Sequence, residues 1–208
     1  MKPTEETYSQ LDRAYAHFNT ALFDDQLPEC IITLQRKKRT YGYFCGESWQ
    51  TAKGDQITDE IALNPDHFED REVRDVLSTL VHEMTHLQQH HFGKPSRKGY
   101  HNREWVGLME AVGLTPSNTG QPGGKQTGQQ MTHYINEGGR FDQTCAELLA
   151  DGYGITWRAR ADDKLAAVKR ASKTKYTCPS CDANAWAKPE TKLICGECNE
   201  AFEAEDHD

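Results

Sequence analysis

A pair of histidines with three residues between them, a glutamate beside the first, constrains this chain more than any other feature: His82-Glu83-Met84-Thr85-His86. The pair falls within residues 73–91, where Val73, Val76, Leu77, Leu80, Val81, Met84 and Leu87 recur at three- and four-residue steps. That period predicts an amphipathic helix with one apolar stripe. At about 100° per residue His82 and His86 project together, away from the centre of the stripe. Two imidazoles one turn apart can hold one zinc ion, and the glutamate between them can act as general base toward the attacking water. A structural origin for the same letters is an ordinary amphipathic helix.

A catalytic zinc takes three protein ligands and leaves one position open. His90 shares the face of His82 and His86 but sits about 6 Å beyond His86 along the axis, so it overreaches a metal held between them; a solvated or supporting role suits it better. Residues 92–102, Phe-Gly-Lys-Pro-Ser-Arg-Lys-Gly-Tyr-His-Asn, carry Gly93, Pro95 and Gly99 as breakers and can return the chain with His101 toward the pair. A further helical pattern follows through Trp105, Leu108, Met109 and Val112. Glu104 and Glu110 on that helix are the alternatives to His101.

With these residues in view, the chain resembles the SprT-like metallopeptidases, the family that includes the Spartan proteases. Leu22-Phe23-Asp24-Asp25-Gln26-Leu27-Pro28 is similar to the family's entry segment, and Val81 to His86 followed by Tyr100-His101-Asn102-Arg103-Glu104-Trp105 is similar to its catalytic core. The usual glycine before the third histidine is Tyr100 here, with Gly99 one place earlier. The resemblance covers roughly residues 8–114 with specific motifs and 176–202 with a generic one. It implies an α+β, zincin-like core, proteolysis, and substrates that are bound or crosslinked to DNA, with DNA as activator.

The second metal signature is C-terminal. Cys178-Pro-Ser-Cys181, thirteen intervening residues, then Cys195-Gly-Glu-Cys198 is a zinc-ribbon pattern. Each CxxC forms a tight knuckle that aims two thiolates at one metal, and two knuckles complete a closed four-cysteine site. A closed site is structural, so these four carry no catalytic role. Trp186 and Phe202 can cover the small hairpin, with the metal supplying most of its folding energy.

Elsewhere residues 8–23 read as a helix, 31–34, 41–45 and 57–63 as strands of a small antiparallel sheet, and Asp70 as the N-cap of the histidine helix. Such a sheet beside the helix is where an extended peptide can add as an edge strand. Residues 115–130, rich in Gly, Gln, Ser, Thr and Pro, read as a long loop. Residues 131–135 then read as a strand and 141–153 as a helix, packed on the core or forming a lid; His133 reads as structural.

These elements divide the chain into a protease domain (1–157), a basic connector (158–175), the ribbon (176–203) and an acidic tail (204–208). The net charge of −8 argues against nucleic acid coating the whole surface, but the connector holds seven Lys and Arg against Asp162 and Asp163. A charge run of this kind is equally a solvated helix face, and residues 162–173 have a helical pattern. Tyr176 and Trp186 are candidates for stacking on single-stranded DNA, although both suit a ribbon core.

With no run of about 18 apolar residues and a polar N-terminus, the chain is expected to be cytoplasmic, nucleoid-associated in a bacterium or nuclear in a eukaryote. Seven cysteines, four of them in CxxC pairs, fit a reducing compartment. The sequence thus points to a zinc metallopeptidase with one catalytic zinc (His82, His86, His101; Glu83 as base) and one structural zinc. The alternatives are a nucleic-acid-binding regulatory protein with a vestigial protease site and a zinc hydrolase of some non-protein amide.

Overall fold

The computed structural model describes residues 2–159 and 173–204. The chain divides into two compact units, Met1–Ala161 and Asp162–Asp208. Among the described residues no helix is long and apolar enough to cross a membrane.

The first unit is α+β. It opens with α1 (Pro3–Phe23), started by Pro3 in its first turn and buried along Leu11, Ala14, Tyr15, Phe18 and Leu22. Asp24 and Asp25 follow in left-handed conformation, which aspartate tolerates better than most side chains. The turn is clasped by Asn19, whose side chain donates to the Leu27 carbonyl and accepts from its N–H, both at 3.1 Å. Tyr15 Oη donates to the Pro28 carbonyl at 2.6 Å. The entry segment is therefore a fixed corner that delivers the chain to the sheet.

That sheet holds β1 (Ile31–Leu34), β2 (Gly42–Gln50) and β3 (Ile57–Leu63) in the order β1-β3-β2. β2 pairs antiparallel with β3, but β1 pairs parallel with it, Ile31 opposite Glu60 and Leu34 opposite Leu63. The antiparallel sheet expected from sequence is thus mixed. The cause lies in β3: Ile61, Ala62 and Leu63 are consecutive and all buried, so this strand is covered on both faces and takes the centre. The more polar β2 is left at the edge.

Against the sheet packs α2 (Val73–Phe92), whose Val76, Leu77, Leu80, Val81, Met84 and Leu87 are fully buried. Its N-cap is Glu72, without a side-chain capping bond, and not Asp70. A loop leads to α3 (Arg103–Ala111), capped by Asn102, whose Oδ1 accepts from the Trp105 N–H at 3.0 Å.

The next segment, left open between core and lid by the sequence, packs on the core. β4 (Leu114–Ser117) takes the first residues of the expected loop and pairs antiparallel with β5 (Thr132–Ile135). The helix α4 (Arg140–Ala150) buries Phe141, which stacks on Phe18 of α1 at 5.6 Å between centroids.

The second unit contains a three-stranded sheet ordered β7-β6-β8, from β6 (Thr174–Thr177), β7 (Asn184–Ala187) and β8 (Glu203–Ala204). Residues 162–172 of the helical expectation lie outside the described residues and Lys173 is not helical; most of the basic connector and the acidic tail beyond Ala204 also lie outside.

Candidate active site

α2 carries His82 and His86 one turn apart, and the Gly93–His101 loop brings His101 to them. Each of the three offers a ring nitrogen, and these atoms all lie within 4.8 Å of one another. The loop is held at both ends. Asn102 Nδ2 donates to the Lys94 carbonyl and Gln89 donates to Asn102 Oδ1 at 2.9 Å. His101 pairs its backbone with Gly128 in an isolated bridge.

Ring orientation is set by partners of the nitrogens facing away from the cluster. His101 Nδ1 lies 3.1 Å from the Gly128 carbonyl, which only accepts, so the proton is on Nδ1 and the Nε2 lone pair is free. His82 Nδ1 lies 3.0 Å from His133 Nδ1, and His133 Nε2 lies 2.9 Å from Ser78 Oγ. Ser78 Oγ in turn donates to the Asp75 carbonyl at 2.9 Å. One assignment satisfies every member: His82 donates to His133, His133 to Ser78, and Ser78 to the backbone. It leaves Nε2 of His82 unprotonated. Beneath the cluster Trp105, wholly buried, stacks on His86 at 5.0 Å and meets His82 and His101 edge-on.

Burial, reinforced by the neighbouring imidazoles, drives the His82 pKa far down and lowers His86 to about 3. His101 is lowered by burial, and His133 falls to about 3 through burial and the nearby Arg71. The cluster is therefore a set of neutral imidazoles, the form that ligates a cation.

Glu83 lies one residue from His82 and is buried. Burial pushes its carboxyl up to about 8 against the opposing pull of a hydrogen bond from the Phe44 backbone and of Lys37. Phe44 lies on edge strand β2, so the glutamate is tied to that strand. Gly42 lets the strand come this close: a Cβ there would sit 2.9 Å from the Ala62 carbonyl oxygen and 3.2 Å from Glu83 Oε1.

The alternatives for third ligand are engaged elsewhere. Glu104 Oε2 accepts from Gln89 at 2.6 Å and from the Lys94 N–H at 2.8 Å, and exposed Glu110 accepts from Gln126. His90 is absent from the cluster and packs instead on Phe44. His133, read from sequence as structural, is neither inert nor among the three. Nothing in its spacing ties it to a residue 51 positions earlier.

In the second unit Cys178, Cys181, Cys195 and Cys198 place their sulfurs within 4.8 Å of one another. Each CxxC is followed by a left-handed residue, Asp182 and Asn199, and each of these donates its N–H back to the first cysteine of its pair. Tyr176 is buried, with Oη donating to the Lys188 carbonyl and accepting from the Thr191 N–H, both at 3.0 Å. It therefore belongs to the ribbon core, not to a stacking surface. Trp186, by contrast, is 61% exposed.

Three clustered imidazoles, with buried Glu83 next to His82 in the chain, and a four-cysteine cluster in a separate unit are candidate metal-binding centres, and together with the family match they mark a metallopeptidase-like protein. The chain belongs to the SprT-like family, whose model matches residues 11–127, more than half of its length. It is also 51% identical, over 59 residues, to an uncharacterized protein in the mucB 3' region of Salmonella typhimurium. That match covers 28% of this chain and 80% of the relative.

Proposed function

We propose that this chain is a zinc-dependent endopeptidase with a zincin-like core, acting on proteins bound or crosslinked to DNA. His82, His86 and His101 would hold the catalytic zinc. The donor set fits: three neutral imidazoles, two of them with Nδ1 engaged by a partner and Nε2 left free. Bound there, zinc supplies Lewis acidity toward water and toward the scissile carbonyl. Glu83 accepts the proton of the attacking water at a carboxylate oxygen and delivers it to the leaving amine. A cation among the imidazoles favours the ionised carboxylate, offsetting the burial that raises its pKa. Edge strand β2 offers backbone groups on which an extended peptide can pair.

One observation carries the reading. The residue that follows His82 in the chain is a buried carboxylate, Glu83, hydrogen-bonded to the backbone of the edge strand. A purely structural metal site has no use for such a group. This weighs against the second reading, a nucleic-acid-binding regulatory protein with a vestigial protease site.

The four ribbon cysteines would hold a second, structural zinc. Exposed Trp186 and the basic residues of 158–175 support a DNA partner, single-stranded by preference, and a cytoplasmic, nucleoid or nuclear setting. The protein is incubated with a DNA-binding protein, with and without single-stranded DNA. A DNA-directed peptidase cleaves it faster with DNA. A regulatory protein binds DNA and cleaves nothing, and a hydrolase of other amides leaves the protein intact in both arms.

A further inference from the structure

The C-terminal turn of α2 carries a second group of ligating side chains. Asp59, His90 and His91 each offer one atom, and these atoms lie within 4.8 Å of one another. Asp59 comes from the central strand, and its carboxylate is only 5% exposed. His91 Nε2 lies 2.7 Å from Asp59 Oδ2, and His90 Nε2 lies 4.0 Å from Oδ1. Oδ1 also accepts the Glu47 N–H at 2.8 Å.

We propose that Asp59, His90 and His91 form a further transition-metal site, distinct from the imidazole cluster and from the ribbon. Two imidazoles and one carboxylate are a recurrent donor set for zinc and for cobalt or nickel, with remaining positions left to water. Its ligands come from two elements, so an ion there would join the end of α2 to β3.

The surrounding backbone makes room for the site. Gly46 of β2 passes so close to the His90 ring that a Cβ would lie 2.8–3.1 Å from its atoms. A side chain at Gly46 would have to displace the His90 ring from this position. Beside it the β2–β3 register shifts between Cys45 and Trp49, and Glu47 takes a left-handed conformation with its N–H on Asp59. The carboxylate thus already organises the irregular part of the edge strand, and a bound ion would fix it further. Without a metal, the 2.7 Å contact is a hydrogen bond or ion pair between Asp59 and His91.

The inference stands apart from proteolysis and is tested by counting metal. Wild type and a His90→Gln/His91→Gln double variant are saturated with Zn²⁺, freed of excess by rapid desalting and assayed for zinc per chain. Both histidines are partly solvent-exposed, so the variant is expected to fold, with circular dichroism as the control. The wild type should hold one zinc more than the variant. Asp59→Asn, which keeps an acceptor for the Glu47 N–H, should lose the same equivalent. Hydrogen exchange at the Glu47 amide should slow on Zn²⁺ addition in wild type and not in the double variant. Equal zinc content in wild type and double variant overturns the site and leaves an Asp59–His91 pair only. The difference is readable even if the His82 cluster binds nothing.

Discussion

His133 Nδ1 lies 3.0 Å from His82 Nδ1, and this contact fixes which nitrogen of His82 faces His86 and His101. A strand residue outside the histidine helix therefore sets the tautomer on which the candidate centre depends. Supporting partners of this kind commonly govern metal affinity by about 10–100-fold. His133→Ala is expected to weaken zinc binding at the His82 cluster within that range while the ribbon zinc stays. A competition titration against a chromophoric chelator measures it. Unchanged affinity would mean that the His82 ring is oriented by helix packing alone.

The strand side of the site is as constrained as the helix side. Gly42→Ala places a Cβ 2.9 Å from the Ala62 carbonyl oxygen and crowds Glu83. Overpacking of this sort costs about 1–3 kcal/mol. Because the backbone in question is the one that holds Glu83, cleavage is expected to fall more than zinc affinity. Thermal denaturation and metal titration of the same preparation separate the two effects.

The raised pKa of Glu83 makes a signed prediction for the metal-stripped protein. Its carboxyl rises from 4.5 to about 8 on folding. That contribution to stability is complete below pH 4.5 and is lost as pH rises through about 8. His86 is depressed from 6.5 to about 3, so its contribution is present above pH 6.5 and lost as pH falls. In a comparison of wild type with Glu83→Gln the His86 effect cancels. The variant should therefore gain relative stability steadily between pH 4.5 and pH 8, read from denaturant melts. Parallel pH profiles would show that the carboxyl is not desolvated.

Much of this was legible in the sequence. Periodicity marked the histidine helix from Val73, since a 3.6-residue apolar stripe is a local property. Breakers at Gly93, Pro95 and Gly99 marked the loop that returns His101, and CxxC spacing marked the ribbon. Relations between strands were not legible. The parallel pairing of β1 and the edge position of β2 depend on β3 being covered on both faces, a tertiary fact. His133 was opaque for the same reason: its partner is fixed by how β5 meets α2. Asp70 has the right chemistry for a cap, yet the helix begins after Glu72.

DNA stimulation should reside in residues 158–208. Under the proposed function, phosphate contacts by several Lys and Arg would tether enzyme and substrate on one polymer and raise their effective concentration without altering the His82 cluster. Removing these residues is expected to abolish stimulation while sparing slow cleavage of an unstructured peptide, and stimulation in the full chain should fall steeply with salt. Trp186→Ala should weaken single-stranded DNA binding by about 1–3 kcal/mol if the exposed ring stacks on a base.

The central claim is that Glu83 serves as general base beside a zinc held by His82, His86 and His101. The most direct test is metal content and cleavage rate measured on one preparation of Glu83→Gln. The amide is nearly isosteric but accepts no proton from water, and loss of a general base typically costs about 10²–10⁴ in rate. Full zinc content with cleavage reduced by that factor is the predicted result. Near-normal cleavage by a fully loaded variant would contradict it.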